Sequence, residues 1–209
     1  MLRFLDFSPR FRSFCNWLIV VGSILLCLMI LPTRLPGTEL LGIRPNWLLI
    51  WVVVWSVKRN AYQGAIAGIA LGLIQDGLTA FDGVPMVDGI MPPNFEGSEE
   101  SAADLLLSYP SHVISLMLVG ILTAKIQKQR YIQEDFISIA LIVFGMAVVA
   151  ETITAIQYSV QGLRNITLVW TEHQRIALSS AILSSLWAPV LYYPLNRWWE
   201  YMSDRDQSL

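Results

Sequence analysis

The sequence predicts an all-α fold: a polytopic membrane helix bundle of six transmembrane helices, with both termini on the cytoplasmic side. Three observations predict it. First, 55% of the 209 residues are apolar, only 14% are charged, and the mean hydropathy is +0.53. Soluble domains run near 25% charged, so there are too few ionic side chains to clothe a globule in water. Second, the apolar residues come in blocks close to the roughly 20 that a helix needs to cross a hydrocarbon core about 30 Å thick. Third, Lys and Arg sort by side when alternate connections are compared. The same composition argues against a disordered chain, a soluble enzyme and a basic nucleic-acid binder. A lipid bilayer, and no nucleic acid, is the expected surrounding.

The first block, Phe14 to Leu31, contains no charge. It follows Arg3, Arg10 and Arg12 and ends in Pro32-Thr33-Arg34. Without an A-x-A-like cleavage site it reads as a retained helix, not a signal peptide. The start, with Leu2, Phe4, Leu5 and Phe7, is amphipathic and suits the inner leaflet surface. Cys15 and Cys27 lie on one helix roughly 18 Å apart, beyond disulfide reach, and read as apolar filler. The second block, Ile43 to Val57, is the shortest. Arg44 and Pro45 open it, with Pro45 placed in the first helical turn, where its missing N–H costs nothing. Trp47, Trp51 and Trp55 form an aromatic stripe; a re-entrant hairpin is the alternative for this block.

The third block, Ala61 to Phe81, carries Gly64, Gly68 and Gly72 at a spacing of four, with Asp76 continuing the stripe. Lipid tails are as apolar as Leu, so helices in a bilayer associate through close packing and hydrogen bonds, and glycine stripes let backbones approach. Whether the partner is a helix of this chain or of another protein is left open by the pattern. A long acidic outer loop follows, about 82–110, with six acids and no Lys or Arg. It reads either as a solvated loop or as an arm for a basic extracytoplasmic partner. The fourth block is Ser111 to Gln127 and the fifth Phe136 to Tyr158, which contains Glu151. The sixth, Ile176 to Leu195, sets Ser179, Ser180, Ser184 and Ser185 among Ala177, Ala181 and Ala188, a small-residue packing face. Pro189 is expected to kink it by freeing the Ser185 carbonyl. Trp198, Trp199 and Tyr201 suit an inner interfacial anchor. Residues 1–209 thus read as a single integral membrane domain.

With the N-terminus inside, the inner segments hold ten Lys and Arg and the outer segments four, the bias that favours this orientation. Counting acids as well, the inner face is net +4 and the outer face −4. The remaining two charges, Asp76 and Glu151, sit inside the membrane. An intramembrane carboxylate costs roughly 2.5–3.5 kcal/mol on insertion scales and should face the bundle or a wet cavity. At 1.5 Å per residue both lie roughly 7–11 Å below the outer surface, near the depth of Gln75, Ser180 and Ser184. An intramembrane polar layer of Asp76, Glu151, Gln75, Ser180 and Ser184 is therefore expected. It could serve as hydrogen-bond glue, as an outward-facing ligand or ion pocket, or as a dock for a partner's transmembrane helix. No nucleophile elbow, P-loop, dinucleotide fingerprint or H-E-x-x-H is present, and His112 and His173 each stand alone in sequence. No catalytic residue, metal or cofactor is expected.

The stretch Arg44-Pro45-Asn46-Trp47 through Trp51, Trp55 and Lys58-Arg59, followed by Gly64, Gly68 and Gly72-Leu73-Ile74-Gln75-Asp76, resembles the rod shape-determining MreD family. That family shows a proline-opened apolar second span, a basic inner turn and a glycine-rich helix ending in G-L-x-x-D, here Pro45, Lys58/Arg59, Gly72, Leu73 and Asp76. The acidic loop is longer than the connection expected there. The resemblance implies a multi-pass protein of the bacterial inner (plasma) membrane within the cell-wall elongation machinery. It also implies partners: a membrane-anchored MreC-like protein and, through it, MreB and the RodA/penicillin-binding-protein synthase. It further implies a bundle similar to the S component of energy-coupling-factor transporters, and no catalytic residues. The expected function is non-enzymatic docking of those partners. The alternative is an S-component-like subunit that binds a small solute at the Asp76/Glu151 layer.

Overall fold

The computed structural model describes residues 9–31, 33, 43–82, 111–128, 136–160 and 166–206. These form six α-helices: α1 Pro9–Ile30, α2 Trp47–Val57, α3 Ala61–Asp82, α4 His112–Lys128, α5 Phe136–Val160 and α6 Ile166–Asp206. The amphipathic start up to residue 8, and the acidic loop over 83–110, lie outside the described residues. Two segments are long and apolar enough to cross a membrane, Phe136–Gln157 of α5 and Gln174–Tyr201 of α6. The exterior is apolar as well. Met29, Tyr62, Ile137, Leu141 and Leu186 all stand exposed, a surface suited to lipid and not to water.

α2 is the centre of the molecule. Leu48, Ile50, Val52, Val53 and Val54 have no exposed surface, and only Trp55 of its eleven residues escapes burial. The other helices enclose it: α1 on one side, the α3–α4 pair on another, the α5–α6 pair on a third. A helix apolar all round belongs in such a position. Tryptophans link α2 to its neighbours. Trp51 donates its indole N–H to Ser23 Oγ of α1 at 2.8 Å and stacks on Trp55 at 5.4 Å. Trp47 packs on Trp187, and Trp55 meets Trp199 edge-on at 5.5 Å. At the same end Arg59 lies 4.5 Å over the Trp55 ring, and Lys58 Nζ is 3.7 Å from Glu200 Oε1.

Three expectations are corrected. The second block is not a full-length helix: α2 has eleven residues, about 16 Å at 1.5 Å per residue and so about half a hydrocarbon core. Pro45 is not in its first turn. Asn46 is the N-cap, its side-chain oxygen accepting from Leu49 N at 3.0 Å. That capture starts the helix at Trp47 and leaves Pro45 one residue outside it, where its fixed φ suits the extended approach. The sixth helix runs well beyond its apolar block at both ends and continues through Pro189 and Pro194 as one helix of 41 residues.

Candidate functional site

The glycines of α3 face α4. A Cβ built on Gly64 would lie 2.5 Å from the Gly120 carbonyl oxygen, one on Gly68 would lie 2.6 Å from the Leu116 carbonyl carbon, and one on Gly72 would lie 2.5 Å from Val113 Cα. All three positions therefore abut backbone of α4, which no side-chain rotation can move aside. Gly120 is the reciprocal position, where an added Cβ would strike the Gly64 carbonyl. The stripe thus has its partner within the chain. Leu73 points the other way, 61% exposed on the outer side of α3.

Asp76 ends this seam. Its Oδ1 accepts from the His112 backbone N–H at 2.8 Å, and its Oδ2 accepts from the Ser111 hydroxyl at 2.8 Å. The His112 ring Nδ1 also lies 2.8 Å from Oδ1. His112 is the first residue of α4, so a carboxylate carried by α3 caps the N-terminus of the next helix. There the first N–H groups lack intrahelical partners and the helix dipole favours negative charge. His112, read from the sequence as standing alone, is held by this carboxylate. Both residues border the outer loop in sequence, which was the available signal for the pairing.

Ser184 makes a different lock. Fully buried on α6, its Oγ accepts from Asn46 N at 3.1 Å. This fixes the residue that caps α2, so α6 sets where α2 begins.

The other expected polar residues meet elsewhere. Gln75, Glu151 and Ser180 line a cavity of about 320 Å³ together with Arg44, Asn46 and His112. Glu151 is within electrostatic reach of His112 and hydrogen-bonding reach of Ser180. The apolar part of the wall includes Leu116, Ala150 and Ile176. The cavity lies at the N-terminal end of α2, bordered by Ile43 to Trp47. Asp76 is not among its lining residues but bonds to His112, which is. The five residues expected as one polar layer thus fall into a helix cap at Asp76, a lock at Ser184 and a cavity lining of Gln75, Glu151 and Ser180, with His112 common to the cap and the cavity. Arg44 was read only as the opening of a span, and Gly120 was not singled out within the fourth block. Sequence spacing on one helix carries no information about what a second helix brings opposite.

Compared with known proteins, residues 11–82 match the family model described as rod shape-determining protein MreD. The match covers α1 to α3, including the stretch that carries the resemblance, and it supports the MreD family. No curated protein and no solved structure matches the chain.

Proposed function

Taking the chain as an MreD-family protein, we propose that it is a multi-pass inner-membrane component of the bacterial cell-wall elongation complex. It is non-enzymatic and supports rod shape by docking partner proteins. Those partners are a membrane-anchored MreC-like protein and, through it, MreB and the RodA/penicillin-binding-protein synthase. The observation that carries this reading is the match of the rod shape-determining family over residues 11–82. The apolar exterior and the long apolar α5 and α6 support a membrane location. The excess of Lys and Arg in the inner segments supports cytoplasmic termini.

The docking surface we assign is the outer face of α1, which lies within the matched segment and packs on α2 at the edge of the bundle. Leu18, Val21, Leu25 and Met29 are exposed there. An added Cβ at Gly22 would meet nothing within 4 Å. A small residue flanked by large apolar ones suits the approach of another membrane helix. The test is co-purification of an MreC-like partner with Gly22→Leu and Leu25→Trp variants, scored beside cell shape. Gly145→Leu and Leu141→Trp on the exposed side of α5 serve as controls. The α1 variants are expected to lose most of the partner and round the cells, and the α5 variants to keep both. Full retention of partner and rod shape by both α1 variants would refute the assignment.

A further inference from the structure

The helices around α2 differ in the apolar length they present to their surroundings. The α5–α6 side is long. The apolar segment Phe136–Gln157 of α5 has 22 residues, about 32 Å at 1.5 Å per residue, and its one charge, Glu151, lines the cavity. On α6 no charge falls between Arg175 and Arg197, about 33 Å. Both lengths match a hydrocarbon core of about 30 Å. The α3–α4 side is short. On α4, Lys125 follows His112 by thirteen positions, about 20 Å. On α3, Asp76 lies fifteen positions after Ala61, the first helical residue, about 23 Å. Between these ends Ile66, Ile69 and Leu73 of α3 and Ile114 and Leu122 of α4 are exposed. This apolar face is thus about 7–10 Å shorter than the core it has to cross.

We propose that the α3–α4 face thins the bilayer beside it and gathers short-chain lipid, while the α5–α6 side meets bilayer of ordinary thickness. The two short helices cannot slide to lengthen their joint face. Gly64 abuts Gly120 at one end of the seam and Gly72 abuts Val113 at the other, so their polar ends are level. Tilting the pair would reduce the thickness it covers still further. Lys125 is exposed and makes up part of the shortfall by extending its stem. Asp76 and His112 make up none: both are short, and each holds the other in place. Their side chains are 29% and 26% exposed. A thinned bilayer sets this pair at the polar boundary, where the carboxylate escapes the cost of sitting in hydrocarbon. Lipid is the occupant that fits, because the glycines that would admit a further helix closely, Gly64, Gly68 and Gly72, are used within the seam. The inference rests on the membrane location proposed above, and on no partner protein.

The experiment reads which lipid lies against each side. The full-length chain, with Cys15→Ala and Cys27→Ala, carries one fluorophore at Ile69→Cys on α3 or at Gly145→Cys on α5. Both positions are exposed and near the middle of their spans. Each protein is reconstituted in equal parts of phosphatidylcholines with fourteen-carbon and twenty-two-carbon monounsaturated chains. In one preparation a trace of the short lipid carries a nitroxide at its chain ends; in the other a trace of the long lipid does. The ratio of short-lipid to long-lipid quenching is expected to be about threefold higher at Ile69→Cys than at Gly145→Cys. Lys125→Leu moves the first charge on α4 to Lys128, about 4.5 Å further, and should lower the ratio at Ile69→Cys while leaving that at Gly145→Cys unchanged. Equal ratios on the two sides, or a ratio at Ile69→Cys that ignores Lys125→Leu, would overturn the proposal. So would a label at Ile69→Cys shielded from both lipids while Gly145→Cys is quenched, because protein, such as a second copy, then covers the face. If neither label is quenched by any lipid, the membrane location itself fails.

Discussion

Gly68→Ala adds one methyl group to the tightest part of the α3–α4 seam. The new Cβ would lie 2.6 Å from the Leu116 carbonyl carbon and 2.7 Å from Met117 Cα. Carbon atoms rest about 3.5–4.0 Å apart, so the two helices must part by about 1 Å, which forfeits a quarter to a half of the dispersion well along the opened contact. Overpacking a well-filled interior costs about 1–3 kcal/mol. The atoms struck here belong to backbone and cannot rotate away, so the upper end of that range applies. Against it stands the helix propensity of Ala over Gly, up to about 1 kcal/mol. The net expectation is a loss of about 2 kcal/mol, roughly 30-fold in the folded-to-unfolded ratio. The control is Gly145→Ala, where an added Cβ meets nothing within 4 Å. There propensity acts alone and the chain should gain up to about 1 kcal/mol. Reversible unfolding in mixed micelles, followed by circular dichroism as the denaturing detergent fraction rises, reads both changes. If Gly68→Ala is as stable as Gly145→Ala, the seam is not close-packed and the reasoning fails.

Two further changes test the polar locks. Asp76→Ala strips the acceptor from the Ser111 hydroxyl and the His112 N–H, at a cost of about 1–3 kcal/mol. Hydrogen exchange should then quicken at the start of α4 and stay unchanged in the middle of α5; equal protection at both would contradict a capping role. Ser184→Ala leaves the half-buried Asn46 N–H without the hydroxyl it donates to, costing about 1–3 kcal/mol. The measurement is the same micelle titration, and an unchanged midpoint would show that α6 does not fix the start of α2.

Much of the helix plan could be read from hydropathy. The third, fourth and fifth blocks match α3, α4 and α5 to within two residues at each end. The misses have separate causes. Hydropathy sees side chains and not hydrogen bonds, so the polar flanks of α6, with Arg175 on one side and Arg197 and Glu200 on the other, were left out although their backbone is helical. For α2 the apolar block was right, but the helix begins where the Asn46 side chain turns back on Leu49 N. At the site, Gly64, Gly68, Gly72 and Asp76 could be placed on one stripe because spacing within a helix is fixed. Gly120 and His112 opposite them could not, because facing pairs depend on the register of two helices. The cavity was least legible. Its charged lining comes from segments more than a hundred residues apart.

The enclosure of α2 has a consequence for how the chain is made. Ribosomal synthesis delivers α2 second, while four of the helices that wall it in are coded downstream, the last ending at Asp206. The newborn segment therefore waits among acyl chains before its neighbours arrive. Its surface is Leu, Ile, Val and Trp on every side, with Ser56 as the lone hydroxyl, and lipid is as apolar a host as the finished interior. A polar stripe on this helix would be stranded during that wait. The most interior element of the fold is thus the one whose chemistry makes no distinction between bilayer and protein.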